Sequence, residues 1–319
     1  MDGGTARTVV FINKEQEKIG LNDAKINYKI FGRENVSIII EMALGACMGE
    51  WIHIAKELSV NNGVFLYERA GINNSEVSLS DRTPINIAQE LHALLQHIKH
   101  EEKIIIIAHS QGGLYAQQFT RLYPDMVKGL ILIDPLSAND NKFKELLSDK
   151  EYKKSGVDKS ANISNMYKLA KLHMGFLTKR IIKGGPPFCY YNAFGEHERN
   201  DILNAVTKPE YCITALNEYV EAHKNQNINH LKEKDSFPDI PLVLITHTSQ
   251  LAIEENMKYG NNSRKFATKI EGIWQDIMKG YLNFSKKSTW IQAKNSSHYI
   301  HLTEKELLWN GLEWIDENV

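Results

Sequence analysis

Short runs of β-branched and aliphatic residues recur along the chain. Thr8–Ile12 and Lys25–Phe31 read as strands; the second alternates Ile26, Tyr28 and Ile30 and ends at Gly32. Further runs follow at Ser37–Glu41, Gly63–Tyr67, Lys103–Ala108, Lys128–Asp134, Pro241–Thr246 and Thr289–Ala293. Continuous apolar runs of this kind fit strands covered on both faces, as in a parallel sheet. Helical patterns fall between them. Ala88, Leu91, Leu95 and Ile98 step by three and four along one apolar stripe. Gly113–Tyr123 is an amphipathic stretch stopped by Pro124. Glu271–Leu282 precedes the last strand, and Leu308, Gly311, Leu312 and Ile315 mark a C-terminal helix. The alternation predicts an α/β fold with a mainly parallel sheet and right-handed crossovers.

The rhythm breaks after Asp134-Pro135. Residues 137–238 hold helical stretches and no strong strand, with Gly184-Gly185-Pro186-Pro187 as a break. The expected organisation is therefore a core of residues 1–136 and 239–319 carrying a helical cap of residues 137–238.

Composition narrows the function. The 319 residues carry a net charge of -1, too little basic excess for nucleic acid as the main partner. No apolar run approaches the roughly 18 residues that suggest a membrane span. The opening Met1–Thr5 lacks the charged-then-apolar order of a signal peptide. Three widely spaced cysteines, Cys47, Cys189 and Cys212, do not suggest a disulfide scaffold, so a cytoplasmic location with reduced thiols is the expectation.

The most informative segment is Ile107-Ala108-His109-Ser110-Gln111-Gly112-Gly113, which follows a strand and opens a helix. That context is what a nucleophile elbow requires. The turn is so sharp that the residues two before and two after the serine must be small, and Ala108 and Gly112 are. Ser110 would stand above the carboxyl edge of the sheet, with the helix dipole aimed at developing negative charge.

With these residues the chain resembles the α/β-hydrolase fold family, over nearly its whole length. Glu41-Met42-Ala43-Leu44-Gly45 followed by Trp51 is similar to the family's oxyanion-loop pattern E-A-G-L-G…W. Tyr67-Glu68-Arg69-Ala70-Gly71…Ser75 is similar to its Y-D-R-A-G-x-G-x-S segment, with Glu68 for Asp and Asn73 for Gly. The resemblance implies an eight-stranded, mostly parallel sheet flanked by helices, with the cap inserted after the sixth strand. It also implies an oxyanion hole formed by the backbone N–H groups of Leu44 and Gln111. Such donors are worth about 10²- to 10³-fold in rate each.

His298 follows the last strand, where the chain order Ser…acid…His puts the base; His301 is its rival. His109 is expected to point away from the base, and His92, His97 and His100 to be solvated. The acid is open at this level. The family's usual place after the seventh strand, His247-Thr248-Ser249-Gln250, holds no carboxylate. Asp134 at the end of the sixth strand is the first choice, although Asp before Pro135 also suits a helix N-cap. Glu254 or Glu255 is the alternative.

No H-E-x-x-H or Cys/His cluster appears, so neither a metal nor another cofactor is expected. Apolar cap residues such as Met166, Phe176, Phe188 and Tyr191 are candidates for an acyl pocket. The expected function is a serine hydrolase cleaving small-molecule carboxylic esters of small or medium acyl chain. Lactonase, lipase and aminopeptidase chemistry would use the same groups, and a slow-turnover ligand receptor or sensor is the rival class. Haloalkane dehalogenase and epoxide hydrolase chemistry would need Asp where Ser110 stands.

Overall fold

A computed structural model describes residues 17–21 and 23–319. The strands are β1 (Glu17–Leu21), β2 (Ala24–Gly32), β3 (Val36–Glu41), β4 (Gly63–Glu68), β5 (Ile104–His109), β6 (Val127–Ile133), β7 (Leu242–Thr246) and β8 (Ser288–Gln292). They form one sheet in the order β1-β2-β4-β3-β5-β6-β7-β8. β1 pairs with β2, and β2 with β4, antiparallel; every other neighbour is parallel. β2 to β8 fall on the expected runs to within a residue or two. The expected strand at Thr8–Ile12 lies outside the described residues. β1 has no counterpart among the expected strands. Its sequence EKIGL has little apolar pattern, and it exists as the hairpin partner of β2.

Helices α1 (Ile52–Leu58), α2 (Pro84–His97) and α3 (Gly112–Leu122) connect the first strands. Between β6 and β7 run α4 (Lys142–Leu146), α5 (Asp149–Ser155), α6 (Ser160–Lys171), α7 (Gly175–Lys183), α8 (Glu196–Ala205), α9 (Pro209–Ala222) and α10 (Asn225–Ile228), with no strand among them. α11 (Ser249–Gly260) and α12 (Arg264–Lys279) join β7 to β8; α13 (Ile300–Thr303) and α14 (Glu306–Asn318) close the chain. None of these helices is long and apolar enough to cross a membrane.

The central strands are buried on both faces, which explains their unbroken apolar sequence. Side chains alternate between two cores. Ile104, Ile106 and Ala108 of β5 point to the side of Leu91, Leu95 and Phe119. Ile105 and Ile107 point to the side of Ile54, Leu58, Leu308 and Ile315. The apolar stripe of α2 is therefore its core face, and Thr83 caps that helix by accepting from Asn86 N–H.

The chain turns from β5 to α3 through Ser110, whose φ of 53° lies in the left-handed region. The turn presses Gly112 onto β3. A methyl group there would collide with the Glu41 carbonyl oxygen and stand 2.7 Å from that of Met42. Gly112→Ala should accordingly destabilise the fold by about 1–3 kcal/mol, as overpacking does. An unchanged melting temperature would contradict this packing.

Candidate active site

Ser110 is held from three sides. Its N–H donates to the Ile133 carbonyl at 3.0 Å, and its own carbonyl accepts from Leu136 N–H at 2.7 Å and Gly113 N–H at 3.0 Å. These bonds tie the elbow to the end of β6. A residue other than glycine at positive φ is uncommon and is kept only where the surroundings enforce it. Ser110 lines a cavity together with Leu44 and Gln111. The backbone N–H groups of Leu44 and Gln111 bond no protein acceptor in the described structure.

The loop bearing Leu44 is fixed by a buried cation. Arg69 donates to the carbonyls of Met42 and Ala43, each at 2.8 Å. The same guanidinium pairs with Glu41 at 2.8 Å and, through two nitrogens, with Glu218 of α9 at 2.8 and 2.9 Å. Tyr211 of α9 donates its hydroxyl to the Gly45 carbonyl at 2.6 Å. The Asn73 substitution is accommodated because Asn73 adopts φ 48°, a region asparagine tolerates.

His298 Nδ1 lies 2.9 Å from Asp134 Oδ2. The ring is 41% exposed, whereas Asp134 is 2% exposed, so the imidazole reaches the cavity with the acid beneath it. No hydrogen bond joins Ser110 to His298 among the described residues; the two meet across the cavity. Asp134 caps no helix, since the next one begins at Lys142. Instead its φ of 46° turns the carboxylate toward the histidines. Neither alternative acid reaches His298. Glu254 is bonded by Gln250. Glu255 accepts from Ser297 Oγ at 2.5 Å and from the Tyr190 hydroxyl.

Asp134 has a second partner that sequence reasoning did not find. His247 stands at the end of β7, where the family's usual acid was sought. Its Nδ1 lies 2.7 Å from Asp134 Oδ2, and its N–H donates to Oδ1 at 2.9 Å. Burial alone would push the Asp134 carboxyl up. The charge and hydrogen bonds of His247, with the hydrogen bond of His298, outweigh burial and hold it well below the usual carboxylate range. The missed signal is the pairing of Asp134 with a polar residue at the adjacent strand end.

The cavity measures about 520 Å³, within the range of small-molecule sites. Its apolar wall includes Leu136, Phe143, Val157, Ile270 and Trp274, and its polar wall includes Tyr190, Tyr219, Glu255 and Glu271. The suggested pocket residues Met166, Phe176, Phe188 and Tyr191 do not line it. Phe188, with Met166 and Tyr191 against it, packs into a separate core around Cys47, Ile72 and Leu302, and Phe176 is exposed. Three of these apolar residues therefore report packing among the helices between β6 and β7, while α11 and α12 build much of the cavity wall. A larger hollow of about 660 Å³ near Glu34 and His97–Glu102 has no Ser, Thr or Cys in its lining.

A family model described as alpha/beta hydrolase fold matches residues 36–304. The chain belongs to this family. The YqjL protein of Bacillus subtilis (strain 168) is 21% identical over 278 residues, spanning 87% of this chain and 82% of that protein. Among solved structures, the epoxide hydrolase CorEH superposes with TM-score 0.66 at 14% identity, covering 95% of this chain and 98% of the other. A structure from work on carboxylesterases of Nitrososphaera gargenis gives TM-score 0.62 at 13% identity, covering 97% and 100%. At such identities these two structures speak for the fold alone.

In this α/β-hydrolase chain the His298 loop is braced from behind. His109 Nε2 lies 2.9 Å from the His298 carbonyl, and the two rings are 4.6 Å apart. His109 thus packs on the candidate base instead of pointing away from it. Glu304 accepts from the N–H groups of Lys294 and Asn295. His301 is buried, stacks on Trp51 at 4.0 Å and meets Glu50 at 3.1 Å, so it does not compete for the cavity. Glu50, His109 and His301 bring their ligating atoms within 4.8 Å of one another. Burial holds both imidazoles well below the usual range, so they stand neutral behind the base, and it pushes Glu50 up to about 7. Burial likewise pushes the Cys47 thiol far up, which leaves it inert.

Burial would favour a neutral His247, but Asp134 and then Glu271 push it from 6.5 up to about 10. A raised value means that the stabilisation is complete below about pH 6.5 and is lost as pH rises toward 10. Denaturant titrations should therefore show wild type losing stability over that window relative to His247→Gln. Parallel curves would contradict a charged His247.

Proposed function

We propose that this protein is a serine hydrolase cleaving carboxylic esters of small or medium acyl chain. The observation that carries the reading is the 2.9 Å contact between Asp134 and His298 beside a cavity into which Ser110 is turned by its left-handed backbone. Asp134 holds the His298 tautomer that leaves Nε2 free. His298 takes the Ser110 proton as the hydroxyl attacks the ester carbonyl. Negative charge moves to the carbonyl oxygen, where the Leu44 and Gln111 N–H groups receive it. His298 then protonates the departing alkoxide, leaving an acyl group on Ser110, and activates the water that removes it. The helices between β6 and β7 act as a cap: Phe143, Val157 and Tyr219 wall the cavity from that side. An epoxide-opening reaction on this fold would ask for a carboxylate at the elbow, and Ser110 supplies a hydroxyl.

Hydrolysis of p-nitrophenyl esters from acetate to palmitate tests the reading. Turnover should peak at short or medium chains and fall by about 10⁴-fold or more in Ser110→Ala. Equal rates in the variant, or only one or two turnovers per molecule, would overturn it, the latter in favour of a ligand sensor.

A further inference from the structure

Both ring nitrogens of His247 face carboxylates. Nδ1 lies 2.7 Å from Asp134 Oδ2, and Nε2 lies 3.1 and 3.2 Å from the two oxygens of Glu271. A neutral imidazole has one N–H and would turn a lone pair toward one of these carboxylates; an imidazolium donates to both. The surroundings fit a cation. Trp274 stacks on the ring with centroids 4.0 Å apart, and Gln275 donates to Glu271 Oε1 at 2.7 Å, which fixes the far carboxylate.

The consequence falls on Asp134. Its Oδ2 accepts from both His247 and His298, while Oδ1 is taken by the His247 backbone N–H. The carboxylate cannot rotate without losing one of these bonds. We propose that His247, a cation held between Asp134 and Glu271, is a positioning residue that fixes the Asp134 carboxylate and offsets its charge at His298. This rests on the Ser110–His298–Asp134 reading above. The end of β7 thereby supplies a counter-ion to an acid that stands at the end of β6. The titratable groups around His247 are Asp134 at the end of β6, Glu271 on α12, and His298 on the loop after β8 through the shared oxygen. Glu255 on α11 lines the same cavity.

The charge can be read directly. In protein with ¹⁵N-labelled histidine rings, the His247 signals, identified by their loss in His247→Gln, should keep imidazolium shifts from pH 6 to 8. A neutral ring over that range overturns the proposal. Glu271→Gln keeps an acceptor oxygen but removes its charge, so the ring should titrate at lower pH; unchanged titration overturns the bracket. Kinetics separate positioning from a merely structural role. His247→Gln should lower kcat by up to about 10²-fold, as misplaced groups do, with a smaller change in KM. It should also move the acidic limb of kcat/KM to higher pH, because Asp134 then acts on His298 without its counter-ion. An unmoved limb with unchanged kcat overturns it. The ring measurement needs no turnover, so a wild type that cleaves no ester would sink the hydrolase reading alone.

Discussion

One buried carboxylate organises the centre of this molecule. Asp134 accepts from His298, from the ring of His247 and from the His247 backbone. Taking a carboxylate out of water costs several kcal/mol unless it is paired and bonded, and these three donors supply the pairing. The bonds also tie the ends of β6 and β7 to the loop after β8, so the geometry of the candidate base is set by adjacent strands of the sheet. The elbow shares the same anchor: Ser110 bonds the last residue of β6, and Leu136 bonds Ser110.

Arg69 plays a comparable part on the oxyanion side. Its guanidinium holds the carbonyls just before Leu44 and reaches Glu218 in the helical insertion. Planar, five-donor geometry makes arginine suited to such a junction. The pairing with Glu218 gives the loop, the sheet edge and α9 a common fixed point. A change in the position of α9 would thus be felt at the Leu44 N–H proposed to receive the oxyanion.

Much of this was legible in the sequence because buried parallel strands and a sharp elbow leave little freedom of residue type. The runs of β2 to β8 follow from apolar continuity and the elbow around Ser110 from steric need, whereas the histidine after β8 follows from the chain order of the resembling family. β1 escaped because hairpin pairing, not pattern, creates it. The cavity wall escaped for a different reason. Met166, Phe188 and Tyr191 are indistinguishable by type from pocket residues, and only packing shows that they belong to a core of their own, while Phe176 is exposed. The acid was ambiguous because distance across neighbouring strand ends is not a sequence property. The histidine in the usual acid position makes sense only once its contact with Asp134 is seen. The roles of Glu255 and Glu304 as anchors of the His298 loop rest on similarly long-range contacts.

The central claim is that Ser110 is made nucleophilic by His298 and Asp134. Intact-mass and peptide mass spectrometry after exposure to a fluorophosphonate tests it most directly, because the probe needs no knowledge of the substrate. A single adduct on Ser110, formed rapidly in wild type, slowly in Asp134→Asn and not at all in Ser110→Ala, is the expected result. A wild type left unmodified, or modified elsewhere than Ser110, would contradict the account.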